Sequence, residues 1–174
     1  MTDHTDSLVI EALSPEHQRG AFDCGVAELN RFLHQQARQK ASRHIAKTFV
    51  ATAPEDTRIK GYYTLTGYSV TVPPEHPAYK KYPHPLSAVK LARLAVDLSS
   101  QKQHIGARLL VDAIIRTAAV EQQISTIGLF VDPMSEEVVQ FYEQYGFLKA
   151  DPGPPSRLEM WLPIRACLEV ARVE

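Results

Sequence analysis

The chain has 174 residues, 44% hydrophobic and 22% charged, with a formal net charge of −1. That size favours one domain with a substantial hydrophobic core, and no apolar run approaches the roughly 18 residues a membrane helix needs. The polar start MTDHTDSLVI lacks the basic head and apolar core of a secretory signal, and Cys24 and Cys167 stand at no metal or redox spacing, so a reducing cytoplasm is the expected compartment.

In chain order, SLVIEAL (7–13) reads as a short strand that Ser14-Pro15 ends. FDCG (22–25) is turn-like, with Asp23 placed to cap a helix. Val26, Leu29, Leu33 and Ala37 then recur at helical spacing and predict an amphipathic helix over about 26–40. TFVATA (48–53) and IKGYYTLTGYSVTV (59–72) are rich in β-branched and aromatic residues and read as strands, with Gly67 a candidate bulge. Pro73, Pro74, Pro77, Pro83 and Pro85 exclude a helix over 73–87 and argue against a central strand. A connection of that length is a substrate-side loop or a rigid surface loop.

AVKLARLAVD (88–97) reads as a buried strand. Ile105 to Gln123 follows as a helix, with Leu109, Leu110, Ala113, Ile114, Thr117 and Ala118 inward and with Asp112 and Arg116 one turn apart on the outer face. TIGLFVD (126–132) is another strand. Glu136 to Gln144 is a helix that Gly146 closes as a left-handed cap. GFLKA and RLEMWLPI (157–164) supply the last strands. Without repeats or a second domain, this order predicts an α/β (α+β) fold with a mixed sheet, a single domain over 1–163. The tail, 164–174, has helical spacing at Ile164, Cys167, Leu168 and Val170 and is free to pack on the body or on a partner.

The net charge conceals three blocks. Residues 1–28 carry six acids and one base, 29–120 fourteen bases and five acids, and 121–174 nine acids and four bases. Two acid-free basic stretches lie in the middle block: Arg31, Arg38, Lys40, Arg43 and Lys47 in one, and Lys80, Lys81, Lys90 and Arg93 in the other. A polyanion-binding face and an ordinary solvated face both fit this layout. The loop Gln101-Lys102-Gln103-His104-Ile105-Gly106-Ala107 opens a long helix, whose free amides suit a pyrophosphate, although one glycine alone is a weak motif. In FYEQYGF (141–147), Tyr142 is either a proton donor or a packed aromatic. The seven histidines show no metal-ligand spacing and neither cysteine sits in a nucleophile motif, so no metal and no cysteine acyl-enzyme are expected.

LARLAVD, LSSQKQHIGA, RLL and VVQFYEQYGF, in this order, resemble the GNAT N-acetyltransferase superfamily over roughly residues 7–163. FDCGVAELNRFL and GYYTLTG narrow the resemblance to the acetyltransferase toxins of bacterial toxin–antitoxin modules, the TacT- and AtaT-like proteins. The family loop reads Q/R-x-x-G-x-G/A. Gln101 and Gly106 fit it, whereas His104 stands where the first glycine is usual. A side chain there crowds the pyrophosphate if the position needs a positive φ; alternatively the imidazole, beside Lys102, hydrogen-bonds a phosphate.

The resemblance implies acetyl-CoA as cofactor. Its pantetheine arm would lie on the backbone of Leu94, Ala95 and Val96, and its pyrophosphate on donors from Gln101, Lys102, Gln103, His104, Ile105, Gly106 and Ala107. Tyr142 would take the place of the family's catalytic tyrosine and protonate the leaving thiolate. The implied acceptor is the α-amine of an aminoacyl-tRNA, and its acetylation would block translation. An α-amine with a pKa near 7.7–8.0 needs little help from a base. Arg31, Arg38, Lys40, Arg43, Lys80, Lys81, Lys90 and Arg93 would track the tRNA phosphates. A small antitoxin protein, often of the ribbon-helix-helix type, and homodimerisation complete the expected partners. The competing readings are an acetyltransferase acting on a small-molecule or protein amine, and a non-catalytic binding module on the same scaffold.

Overall fold

A computed structural model gives the fold and describes residues 7–150 and 158–173. Residues 1–6, and Arg157 at the head of the last predicted strand, lie outside the described residues. Strands β1 (Val9–Ala12), β2 (Lys47–Thr52), β3 (Gly61–Val70), β4 (Leu86–Val96), β5 (Gly128–Val131), β6 (Leu148–Lys149) and β7 (Met160–Pro163) form a seven-stranded sheet in the order β1-β2-β3-β4-β5-β7-β6. The β1–β2, β2–β3, β5–β7 and β6–β7 pairs are antiparallel, and β4–β5 is parallel. A parallel pair needs a long crossover, supplied here by helix α3 (Ile105–Glu121). This is the mixed α/β architecture expected from the residue patterns. Each predicted strand and helix is present, with ends shifted by a few residues.

The chain divides into two compact units, one built from the chain up to Thr66 with Ala92–Ala113, the other from Gly67–Leu91 with the chain from Ile114 onward. In the first, Phe22, Phe32, Leu33, Ala37, Val50, Ile59, Tyr62 and Ala95 form the core. The predicted first helix is a continuous helical segment of α1 (Ala27–Arg31), a π-helical turn (Phe32–Gln36) and α2 (Ala37–Ser42). The π turn is a departure from the expected regular helix. It closes through Ala37 N on Phe32 O, and Arg19 Nη1 donates to His34 O at 3.1 Å within it. The Tyr62 hydroxyl donates to Leu29 O at 2.7 Å, tying the segment to the sheet.

Asp23 does not cap this helix. The N-cap is Val26, without a side-chain cap, because the Asp23 carboxylate accepts instead from Gly25 N and Asn30 Nδ2. Asp112 also departs from its expected place. It is half-buried and accepts from the Tyr63 hydroxyl at 2.5 Å, rather than lying on a purely outer face with Arg116. Gly61 is where the start of α3 meets the sheet: a Cβ there would lie 2.8 Å from Leu109 Cδ1 and 3.0 Å from Ala95 O.

In the second unit, helix α4 (Glu136–Glu143) follows β5, and Leu129, Leu162 and Cys167 are fully enclosed. The tail forms α5 (Ile164–Val173), which packs on β5 and β7 of its own chain, with Cys167 Sγ 3.7 Å from Leu162 O. The proline-rich segment is a run of turns, such as Tyr79 N on His76 O, with neither helix nor strand between β3 and β4. Both cysteines are free and buried. Among the described residues, no helix is long and apolar enough to cross a membrane, and no cluster of His, Cys, Asp or Glu is able to hold a metal.

Candidate active site

The first unit carries the strand exit and the loop. The register of β4 with β5 covers Val89–Leu91, and β4 continues through Leu94, Ala95 and Val96. Leu94 and Val96 are half-buried and Ala95 is buried. The strand ends at Asp97, whose amide donates to Lys60 O at 2.8 Å. One oxygen of its carboxylate caps the turn Leu98–Ser100, accepting from Ser99 N at 3.0 Å and Ser99 Oγ at 2.5 Å. The other accepts from Asp23 N at 2.9 Å. Burial raises the pKa of Asp97, but the hydrogen bonds from Ser99 and Asp23 outweigh it and hold the carboxyl below its ordinary value.

Gln101 is exposed, yet its side chain reaches back to the strand exit, donating to Val96 O at 3.1 Å and Cys24 O at 3.4 Å. Lys102, Gln103 and His104 are exposed. Lys102 and His104 have φ of +64° and +61°. This is the left-handed region that disfavours any residue with a Cβ, by about 1–2 kcal/mol. The usual glycine is therefore replaced by histidine at a position that does need positive φ, which meets the condition for crowding the pyrophosphate; the side chain of His104 is nevertheless exposed, which leaves the imidazole room on the solvent side. Such strain collects at functional sites.

Arg108 N on His104 O, at 3.1 Å, closes the first ring of α3. The amides of Ile105, Gly106 and Ala107 accordingly have no acceptor within the helix. A Cβ on Gly106 would meet only Val96 Cγ2, at 3.7 Å, so neither packing nor a positive φ requires glycine there. Glycine early in a helix lowers its stability. A residue without a side chain, set before free amides and the positive end of a 17-residue helix, fits the close approach of a diphosphate.

The second unit carries Tyr142. Ser135 opens α4 by accepting from Val138 N, and Gly146, at φ +88°, closes it. Between these caps Tyr142 lies on the inner face, 4% exposed, with its ring edge-on to Phe141 and Phe147, each at 5.2 Å. The phenol is protonated at neutral pH at its ordinary pKa, and burial pushes that pKa well above the ordinary range. Tyr145 packs on Phe141 at 5.4 Å.

The basic residues separate into three kinds. Arg31, Arg38 and Arg43 are exposed along the first helical segment, with Lys40 half-buried; Lys80 and Lys81 are exposed in the proline-rich turns. Arg93 is stacked, its guanidinium 3.7 Å from the Phe32 ring centre, which orients the charge. Lys90 is engaged elsewhere. Its ammonium contacts Asp132 Oδ2 at 2.7 Å and Glu159 Oε2 at 3.1 Å, and lies 4.3 Å over the Tyr68 ring. Tyr68 donates to the same Glu159 oxygen. Burial alone would lower the Lys90 pKa, but the two carboxylates raise it, leaving a paired charge in place of the phosphate-tracking cation expected from the sequence. The contacts of Asp97, Asn30 and Gln101 were not legible from the sequence, although FDCG and LARLAVD were both distinctive.

The chain matches the acetyltransferase (GNAT) domain over residues 14–156. It is 26% identical over 167 residues to the probable toxin TacT of Sinorhizobium fredii (strain NBRC 101917 / NGR234), covering 90% of this chain and 91% of that one. It is 28% identical over 139 residues to a tRNA-acetylating toxin of Mycobacterium tuberculosis (strain ATCC 25618 / H37Rv), covering 79% of this chain and 82% of that one. Among solved structures, AtaT complexed with acetyl-methionyl-tRNAfMet superposes with a TM-score of 0.80 at 27% identity, covering 91% of this chain and 96% of that one. A Tyr-to-Phe mutant of AtaT, bound to the C-terminus of the antitoxin AtaR and to acetyl-CoA, has a TM-score of 0.78 at 27% identity, covering 93% and 96%. By its sheet, its strand-loop-helix unit and this match across most of its length, the chain belongs to the GNAT acetyltransferase family.

Proposed function

We propose that the chain is the toxin of a toxin–antitoxin module, an N-acetyltransferase that moves acetyl from acetyl-CoA to the α-amine of aminoacyl-tRNA and so blocks translation. The observation that carries this reading is the exit of β4 into the strained loop and the free first-turn amides of α3, with a glycine at 106 that packing does not require. The toxin relatives, one of them named for tRNA acetylation, and the AtaT complexes with acetyl-CoA and with acetylated tRNA support it.

Acetyl-CoA brings an acyl group activated as a thioester. The backbone of Leu94, Ala95 and Val96 would pair with its pantetheine arm, and an amide of this strand would polarise the thioester carbonyl. Donors of the loop from Gln101 to Ala107 would hold the pyrophosphate. The amine nitrogen bonds to the acyl carbon as the carbon–sulfur bond breaks. Tyr142 gives its phenolic proton to the departing thiolate, and the proton shed by the amine restores the phenol. That a solved AtaT variant replaces a tyrosine by phenylalanine fits a tyrosine in this role.

Arg31, Arg38, Lys40, Arg43, Lys80, Lys81 and Arg93 track tRNA phosphates; Lys90 is left out because its charge is paired. A small antitoxin partner, homodimerisation and a cytoplasmic site of action belong to the same reading, and the AtaT–AtaR structure supports the first of these. Expression in cells tests it. Wild type should arrest growth and accumulate acetylated aminoacyl-tRNA, while Tyr142→Phe should lose about 10²–10⁴ in rate and permit growth. Equal arrest and equal acetylation by both proteins would remove Tyr142 from this role. Labelled acetyl appearing on a metabolite panel and not on aminoacyl-tRNA would move the acceptor to a small amine.

A further inference from the structure

We propose that Asp23, Asn30, Asp97 and Gln101 are positioning residues that lock the cofactor loop to the first helical segment, so that acetyl-CoA affinity depends on Asn30, a residue of α1 and not of the loop. The inference rests on the acetyl-CoA reading above. It accounts for FDCG, a motif to which the proposed chemistry assigns no task.

The turn Asp23-Cys24-Gly25 is held from both sides. On the loop side, Asp23 N donates to Asp97 Oδ1 at 2.9 Å, Leu98 N donates to Asp23 O at 2.8 Å, and Gln101 Nε2 donates to Cys24 O at 3.4 Å. The same Gln101 amide reaches back to Val96 O, so it spans the strand exit, the turn and the loop. On the helix side, Asn30 uses both halves of its amide: Oδ1 accepts from Cys24 N and Nδ2 donates to Asp23 Oδ1, each at 2.9 Å. Gly25, at φ +87°, makes the turn, and its amide donates to the same Asp23 oxygen at 2.9 Å. These hydrogen bonds, with those of Asp97 to Ser99, depress the pKa of both carboxyls.

Asparagine is required at position 30 by this geometry. Aspartate would set an oxygen against the Asp23 carboxylate, and alanine would leave both Cys24 N and Asp23 Oδ1 without this partner. A loop held in its bound shape before the ligand arrives loses less freedom on binding. The latch therefore acts on cofactor affinity and not on the chemical step.

Acetyl-CoA binding is measured by calorimetry on wild type, Asn30→Ala, Asp97→Ala and the double variant, with kcat at saturating acetyl-CoA and amide exchange over 23–31. Each single variant should weaken acetyl-CoA roughly tenfold, the loss expected for one or two hydrogen bonds. The double should be no worse than the weaker single within about twofold, because both break the same connection. The kcat should stay within about twofold of wild type, and acetyl-CoA should slow exchange at 23–31 in wild type but not in Asn30→Ala. Where Asn30→Ala does not fold, Asn30→Asp serves, with the same expected loss. Wild-type affinity in the Asn30 variant, or additive losses of about 100-fold in the double, overturns the latch alone. A wild type that does not bind acetyl-CoA overturns both the latch and the functional reading.

Discussion

Two glycines of β3 offer a matched test of how the sheet sets the cofactor strand and helix. At Gly61 a Cβ would lie 2.8 Å from Leu109 Cδ1, 3.0 Å from the carbonyl oxygen of Ala95 and 3.3 Å from Ile105 Cγ2. At Gly67, in the same strand, it would meet nothing within 4 Å. Leu109 is fully enclosed, so its methyl has little freedom to turn away, and the Ala95 carbonyl is backbone. Gly61→Ala must therefore move β4 or the first turn of α3 by a few tenths of an ångström, an overpacking strain of about 1–3 kcal/mol. For a chain of this size that is a fall in Tm of roughly 2–12 °C. The displaced atoms belong to Ala95 and Ile105, both assigned to acetyl-CoA, so affinity should fall roughly tenfold as well, the worth of about 1.4 kcal/mol. Gly67→Ala should leave acetyl-CoA affinity intact and raise stability slightly, by up to about 0.5–1 kcal/mol, because alanine loses less chain entropy in a strand. Thermal unfolding of both variants with and without acetyl-CoA decides the matter. If Gly61→Ala is as stable as Gly67→Ala, the close approach of α3 to the sheet at Gly61 is not the constraint described.

Gly106→Ala should stabilise the free protein by about 0.4–1 kcal/mol, seen as a higher Tm, because its Cβ has room and alanine restricts the unfolded chain. Gly106→Glu should also fold, an acid in the first helical turn being favourable, but lose acetyl-CoA binding in calorimetry by repelling the diphosphate. Lys90→Met should lower stability by about 2 kcal/mol in urea unfolding, since charged hydrogen bonds to Asp132 and Glu159 are lost. The same change should leave the salt dependence of tRNA acetylation unaltered, whereas Lys81→Glu should reduce its logarithmic slope by about 0.9 for a duplex contact. Asp97 has a folded pKa below its unfolded value, so its stabilisation is complete above the ordinary carboxylate pKa of about 3.9 and is lost as the pH falls through the folded value. Asp97→Asn should therefore flatten the decline of urea-unfolding stability between about pH 5 and pH 2.

Local pattern decided a large part of this protein. β-branched runs placed β2, β3 and β5, helical spacing from Leu109 to Ala118 placed α3, and Gly146 ended α4 at a left-handed residue. These signals are legible because each reflects steric or burial demands met within a few residues. Tyr142 was readable as a candidate from FYEQYGF, and a phenol with its ordinary pKa near 10 is protonated at neutral pH without help; enclosure by Phe141 and Phe147 raises that pKa further.

What only the tertiary structure decided are the partners of polar groups. A linear count makes Lys90 one base in an acid-free stretch, yet sheet pairing sets it opposite Phe130 and brings in Asp132 and Glu159, 42 and 69 residues further on. Asp23 resembles a helix cap, yet its carboxylate accepts from Gly25 and Asn30, and its amide donates to Asp97, 74 residues away. Periodicity reports which face of an element is buried. It carries no record of which distant charge or carbonyl will meet that face, because strand register and crossover geometry set those meetings.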